Sequence, residues 1–454
     1  MTSYTKTSRL TAIAFAVLLV VGVAESTFSQ AHNPVVLIPG VTGSELVNKK
    51  TGEVVWLKAR RSKDDDLRLP VTSDPLRAKD GLTAGDIIRT VKLPLLPRTD
   101  VYQGLIDAFK TRAGYHEESW DSPTEKGGEN AFYVFPYDWR MDNVENARLL
   151  IRKIQELRVK LKKPGLKFDV IAHSMGGLIA RYAAMYGDAE LPPAGRKATA
   201  TWAGSKFFDK VVLLGTPSEG SSYALGAFLN GFPLGPITIN LPFLQNISRF
   251  DVFTIPAAYE LLPAPGTFHL VDENFEPMAA DLYDPKVWTR FGWNPIDDKK
   301  FNDQFSSAER KAATTFFTTM LARTKRFHEA LESTGSVTQA IKFDMVGSNC
   351  KDTLDTVLVY RDPKKDEWKT LFKAESFVRP NGEKVTSEEL KKVIYMPGDG
   401  TVTKTSFEAS TESKMLGVAS ILRPASSKFV CEDHNKLATN AEVQDYLISL
   451  FGGK

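Results

Sequence analysis

Three residues far apart in the chain carry the side chains that acyl transfer needs: Ser174, Asp399 and His434. A serine hydroxyl is a weak nucleophile at neutral pH. It needs a base to take its proton, and the base needs an acid to orient it. Ser174 sits in Asp169-Val170-Ile171-Ala172-His173-Ser174-Met175-Gly176-Gly177. The apolar run at 168–171 reads as a buried strand, and the segment at 178–184 reads as a helix. Between them stands a serine with small residues at positions −2 and +2, Ala172 and Gly176. That is the pattern of a nucleophile elbow, a sharp strand-to-helix turn that lifts the hydroxyl above the sheet. Ala172 departs from the strict G-x-S-x-G form by one methyl group. The competing reading is an ordinary turn with a capping serine, and the flanking strand and helix weigh against it.

The base and the acid follow from chain order. Hydrolases built on such an elbow run Ser, then Asp or Glu, then His. Of six histidines, His32, His116 and His173 come too early, and neighbouring side chains on an elbow diverge. His269 lies in a region that reads as a cap, and His328 in a helical stretch. His434 alone sits in a late loop before a final helix, so it is the candidate base. Asp399, in the turn Gly398-Asp399-Gly400, is the candidate acid. Aspartate is also a common turn former, so Asp433 stands in reserve. An oxyanion hole would take one N–H from Met175, the residue after the nucleophile. The other would come from the glycine turn after the first strand, Pro39-Gly40-Val41-Thr42-Gly43, which nominates Val41.

These residues need elements to hold them. Apolar runs at 34–38, 132–135, 168–171, 210–214 and 341–346 read as buried strands. Helical patterns start near 101, 142, 178 and 307, and a last one carries Val443, Tyr446, Leu447 and Leu450. The helix after Asp142 has Ala147, Leu150, Ile151, Ile154 and Leu157 on one face. The alternation predicts an α/β fold, a mostly parallel sheet with helices on both faces. Two insertions are expected, a lid at about 47–98 and a cap at about 218–335. Segment 353–389 reads as an inserted ribbon.

Residues 220–248 carry no charge but hold Phe228, Phe232, Phe243 and three prolines, Pro233, Pro236 and Pro242. The prolines are expected to forbid a regular helix. The stretch reads either as packing over the core or as an apolar mouth that meets lipid; Trp56 and residues 93–97 likewise read either as core plugs or as parts of a lid in that mouth.

Composition bounds the remainder. The chain has 454 residues and a formal net charge of +3, which gives no electrostatic footprint for nucleic acid. Residues 1–31 read as a signal peptide, with Lys6 and Arg9 ahead of an apolar run at 10–23. Cleavage is expected near Ala31 or Ala24, and the protein is expected to be secreted or periplasmic. No later stretch is long and apolar enough to span a bilayer. Asp64-Asp65-Asp66 reads as a solvated face, since no histidine or further ligand accompanies it. No metal and no cofactor is expected. After export, the two cysteines, Cys350 and Cys431, make one candidate disulfide close to His434.

Taken together, these residues resemble the family of lecithin:cholesterol acyltransferase and its lysosomal and bacterial phospholipase relatives. The matches begin with Val35-Val36-Leu37-Ile38-Pro39-Gly40 and Tyr102-Gln103-Gly104-Leu105. They continue through Pro136-Tyr137-Asp138-Trp139-Arg140, Ala172-His173-Ser174-Met175-Gly176-Gly177, Leu214-Gly215-Thr216-Pro217 and Tyr259-Glu260-Leu261-Leu262-Pro263. They end with Gly398-Asp399-Gly400-Thr401-Val402 and His434. Pro-Tyr-Asp-Trp-Arg is the specific one; Gly-Thr-Pro and Gly-Asp-Gly are weak alone. The resemblance implies an α/β-hydrolase fold over residues 32–454 with lid and cap. It implies Ser174, Asp399 and His434 as the triad, and Val41 and Met175 as oxyanion donors. It also implies O-acyltransferase or phospholipase A-type chemistry on a phospholipid or other ester lipid at a membrane or aggregate surface. The mammalian enzymes pin the lid with a cysteine pair that this chain lacks; their second disulfide would be mirrored by Cys350 and Cys431. Two other readings stay open: a secreted carboxylesterase or triacylglycerol lipase, and a lipid-binding protein without catalysis.

Overall fold

Alternate residues of the first strand, Val35–Ile38, face opposite ways, and both sets are buried. Val36 and Ile38 join a core with Tyr133, Val170, Ala172, Val211 and Leu213. Val35 and Leu37 join a second core with Phe132, Ile171, Val212 and Leu214. A strand buried on both faces needs helices on both faces. Helices Asn143–Lys160 and Met175–Tyr186 cover the first face. Helices Gln103–Arg112 and Ala441–Phe451 cover the second.

This is a computed structural model, and it describes residues 1–2, 31–58, 66–92, 98–232, 247–333, 341–362, 364–410, 422 and 424–452. Residues 32–454 make up one structural unit. The expected signal segment falls almost wholly outside the described residues, as do Asp64, Asp65, residues 93–97 and the three prolines of the uncharged stretch.

Among the described residues the main sheet has seven strands. In spatial order they are Pro424–Val430, Lys342–Ser348, Phe208–Leu214, Phe168–His173, Val35–Ile38, Ala131–Val134 and His116–Glu117. Every neighbouring pair is parallel. The strand that ends in the elbow is therefore central, with Ala172 opposite Ile38 on one side and Leu213 on the other. The α/β expectation is met.

Most elements fall where the pattern placed them. The amphipathic helix after Asp142 is Asn143–Lys160, capped by the Asp142 side chain on Val144 and Glu145 N–H. The long helix is Ser307–Leu331, and it packs on Met175–Tyr186. The inserted ribbon is a hairpin of Thr356–Asp362 and Glu367–Leu371. Outside the main sheet, Ser44–Asn48 pairs antiparallel with Val54–Trp56 and Leu82–Ile87.

One expectation needs correction, and two open readings are decided. The uncharged stretch does hold a regular helix, Ser222–Asn230, because its prolines begin only at 233. Ser221 caps its start, and Gly231 ends it at φ +82°. Phe228 is fully buried against Tyr259 and Trp288. Trp56 is buried too, packed at a tilt against Trp139 with its indole N–H on the Thr42 carbonyl. Neither ring belongs to an apolar surface; both are packing.

Candidate active site

The elbow is a real strain point. Ser174 sits at φ +54°, ψ −127°, a region that non-glycine residues occupy only when their surroundings hold them there. Pairing on both sides of Phe168–His173 fixes one arm of the turn. The other arm is the helix Met175–Tyr186, whose residues are all buried. Gly176 is forced by close approach: a Cβ there would come within 2.5 Å of the Pro39 carbonyl oxygen.

The three candidate residues meet at the C-terminal ends of the parallel strands. His434 Nε2 lies 2.9 Å from Ser174 Oγ. His434 Nδ1 lies 2.7 Å from Asp399 Oδ2. The other oxygen, Asp399 Oδ1, accepts the N–H groups of Thr401 (2.9 Å) and Val402 (2.7 Å). All three side chains are buried. Burial alone would raise the Asp399 pKa. His434 and the two backbone donors outweigh it and hold the carboxyl below its ordinary value, so it is ionised when His434 needs an acceptor. Gly215, at φ +58°, makes room for the pair: a Cβ there would lie 3.2 Å from His434 Nδ1 and 3.3 Å from Asp399 Oδ2. The weak Gly-Thr-Pro signal thus has a local cause. Asp433, the reserve acid, faces elsewhere and pairs with Lys351 and Lys436.

The loop after the first strand supplies the other half of the site. Its carbonyls are taken one by one. Tyr137 O–H donates to Pro39 (2.8 Å), Gly43 N–H to Gly40 (3.0 Å), Trp56 Nε1–H to Thr42 (3.0 Å), Ile88 N–H to Gly43 (2.8 Å) and Trp139 Nε1–H to Ser44 (3.2 Å). Gly40 N–H donates to Tyr102 Oη (2.9 Å). Among the described residues, no hydrogen bond takes up the Val41 N–H. Met175 is the first residue of its helix, so its N–H has no intrahelical acceptor either. The Val41 and Met175 N–H groups, the two candidate oxyanion donors, are thus both left without a backbone acceptor.

One contact escaped sequence reasoning. His173 does diverge from Ser174, as an elbow demands, but it is not idle. Its Nδ1 is 2.7 Å from Tyr102 Oη and its Nε2 is 3.2 Å from the His434 carbonyl oxygen. Burial, reinforced by the neighbouring His434, pushes the His173 pKa down to about 3, so the ring is neutral. The sequence signal is Tyr102-Gln103-Gly104-Leu105, a helix start that also carries part of the family resemblance but gives Tyr102 no role of its own.

Cys350 and Cys431 are bonded. They lie just past the ends of the neighbouring parallel strands Lys342–Ser348 and Pro424–Val430, and the second strand leads into His434. No group of three or more potential metal ligands occurs among the described residues.

Comparison with known proteins places this geometry. Residues 76–324 match the model of the lecithin:cholesterol acyltransferase family. That span is more than half of the chain and contains Ser174; Asp399 and His434 lie beyond it. No curated protein matches in sequence. Among solved structures, a chain of the Tle4–Tli4 complex superposes with a TM-score of 0.53 at 14% identity, covering 92% of this chain and 97% of that one. The mature form of Bacillus licheniformis lipase BlEst2 matches at 12% identity over 93% and 92%, with a TM-score of 0.36. EstA from Clostridium botulinum matches at 12% identity over 94% and 88%, with a TM-score of 0.33. The fold is of the α/β-hydrolase type, and the chemistry is that of a serine lipid-ester hydrolase or acyltransferase. The chain belongs to the lecithin:cholesterol acyltransferase family.

Proposed function

We propose that this protein cleaves an acyl ester of a phospholipid through an acyl-serine and passes the acyl group to a lipid alcohol or to water. The observation that carries the reading is the continuous hydrogen-bonded line Ser174 Oγ, His434, Asp399. Ser174 Oγ attacks the ester carbonyl, and its proton moves to His434 Nε2. Asp399 stabilises the imidazolium without taking its proton. Val41 and Met175 N–H groups receive the oxyanion. When the carbon–oxygen bond to the lyso-lipid breaks, His434 returns the proton to the leaving oxygen. The acceptor hydroxyl then gives its proton to His434 and attacks the acyl-serine, and Ser174 recovers its proton. No step draws on a metal or cofactor.

The Cys350–Cys431 bridge supports placing the protein in an oxidising compartment. The formed Cys350–Cys431 bridge suits a secreted or periplasmic protein whose residues 1–31 are a cleaved signal. No helix among the described residues is long and apolar enough to cross a membrane.

The test is product analysis with a labelled phospholipid, with and without a sterol or fatty alcohol. Lyso-lipid plus an acylated alcohol, or free fatty acid, is expected. Ser174→Ala should fold and lose at least roughly three orders of magnitude of turnover, together with labelling by a fluorophosphonate. Turnover of short soluble esters without any phospholipid cleavage would instead select a carboxylesterase. Ser174→Ala within about tenfold of wild type would remove the nucleophile assignment.

A further inference from the structure

Resting on that reading of Ser174 and His434, we propose that His173 and Tyr102 are positioning residues. They tie the oxyanion loop to the loop of the base, so that both sides of Ser174 are set by one hydrogen-bonded chain. Its proton order follows from its two ends, each a backbone group with a fixed role. The His434 carbonyl can only accept, so His173 Nε2 carries the hydrogen of that contact (3.2 Å). In the neutral ring Nδ1 must then accept, and Tyr102 O–H donates to it (2.7 Å). That leaves the Tyr102 oxygen to accept Gly40 N–H (2.9 Å). The chain runs from Gly40, the residue before the candidate donor Val41, to the backbone of the base.

The effect on His434 is specific. Its N–H donates to the Asp399 carbonyl (2.9 Å), and its carbonyl accepts from His173. Its ring nitrogens face Asp399 and Ser174. Backbone and ring are therefore each gripped at both ends, which fixes where Nε2 points. The neutral state of His173 matters here. The two imidazoles lie 5.1 Å apart, centre to centre. A charged His173 would oppose the imidazolium that forms on His434, whereas a neutral one holds the loop without that penalty. Tyr102 closes the far side, buried and edge-on to His173. Both side chains are out of reach of solvent, so the contacts are not exchanged with water.

The experiment uses the full chain and p-nitrophenyl butyrate. Tyr102→Phe keeps the ring and deletes only the hydroxyl; His173→Ala deletes the centre of the chain. Each should lower kcat by about 10²-fold with KM within about twofold of wild type, because misplacement acts on the reacting atoms and not on ester binding. The double variant should be no worse than His173→Ala alone, since both changes break one chain. Circular dichroism and the unfolding midpoint establish that the variants are folded. If His173→Ala does not fold, the kcat–KM split of Tyr102→Phe decides. A kcat within about threefold of wild type for Tyr102→Phe, or losses that multiply in the double variant, would overturn the proposal. Ser174→Ala run alongside separates the two failures. Active Ser174→Ala overturns the nucleophile itself, whereas inactive Ser174→Ala beside fully active Tyr102→Phe overturns only the positioning role.

Discussion

Two buried polar clusters lie on the same sheet scaffold and do opposite work. At the elbow, Ser174, His434 and Asp399 form a hydrogen-bonded line that ends at the proposed nucleophile. At the start of helix Asn143–Lys160, Asp142 is fully buried and takes two hydrogen bonds from Arg323 (2.5 and 2.9 Å) while capping the helix. Glu260 lies beside it and accepts the Asn143 N–H (2.8 Å). Burial would raise the Asp142 pKa; Arg323 overrides this and lowers it. For Glu260, burial and then the Asp142 charge push the pKa well above the ordinary carboxylate value. The second cluster thus compensates its charges internally and strains no residue. The first keeps backbone strain at Ser174, which its surroundings must hold in place. Burial of charge and unpaired polar atoms occur in both clusters, since the buried Asn143 amide has no partner; backbone strain is what sets the first apart.

The sharpest way to break this comparison is to change one charge in each cluster. Asp399→Asn should leave the fold intact and lower ester turnover by up to roughly 10⁴, because His434 loses the partner that fixes its tautomer. Stopped assays on the folded variant measure it; a mild Asp399→Asn beside a damaging Asp433→Asn would reassign the acid. Arg323→Met should do the reverse. It leaves the Asp142 carboxylate buried without its cation, at a cost of about 3–5 kcal/mol in stability. The protein that remains folded should keep kcat within about twofold. Denaturant unfolding and kinetics on the same sample check both halves. A large kcat loss at full stability would mean the second cluster is wired to the first.

The bridge sharpens the comparison from the site's side. Cys350 and Cys431 are 81 residues apart in sequence, and their bond restricts the unfolded chain. Replacing both with alanine should cost about 2–4 kcal/mol. Titration of the unreduced mature protein should find no alkylatable thiol. Two reactive thiols there would show that the bond is not formed.

How much of this could be read from the chain depended on how local the signal was. The elbow is local: strand, small residue, serine, glycine and helix occupy one short segment, so Ser174 was legible. That Asp399 and His434 would come together at Ser174 was expected from chain order, the Ser, Asp, His order of hydrolases built on such an elbow, and the structure brings the three side chains into hydrogen-bond contact. The Tyr102–His173 contact spans 71 positions and joins a helix start to a strand end, and neither end advertises it. Phe228 misled for another reason. An apolar ring in an uncharged stretch reads equally well as surface or core, and only Tyr259 and Trp288, packed on it, decide. The helix Ser222–Asn230 was hidden because prolines that follow it were read as if they lay within it. Glu260 was noticed only as part of a motif; its neighbour Asp142 lies 118 residues away in sequence and gives it a reason to be there.

Glu260 also yields the smallest and most discriminating prediction. A fully buried carboxyl whose pKa is raised in the folded state holds its proton over a range in which the unfolded chain has lost it. Its contribution to stability is complete below the ordinary carboxylate pKa and fades as pH rises through the folded value. Glutamine stays neutral throughout and keeps an acceptor oxygen for the Asn143 N–H. As pH rises above the ordinary carboxylate range, stability of Glu260→Gln relative to wild type should therefore rise, by at most about 1.4 kcal/mol per pH unit, the linkage slope for one proton. Near pH 4 the difference should be flat. Denaturant unfolding across that range measures it, and ester turnover at saturating substrate should not follow it. A flat difference from pH 4 to 7 would mean that Glu260 is ionised beside Asp142 and that Arg323 carries two carboxylates. The second cluster would then be held by charge pairing alone, and its contrast with the site would rest on backbone strain, no longer on a retained proton.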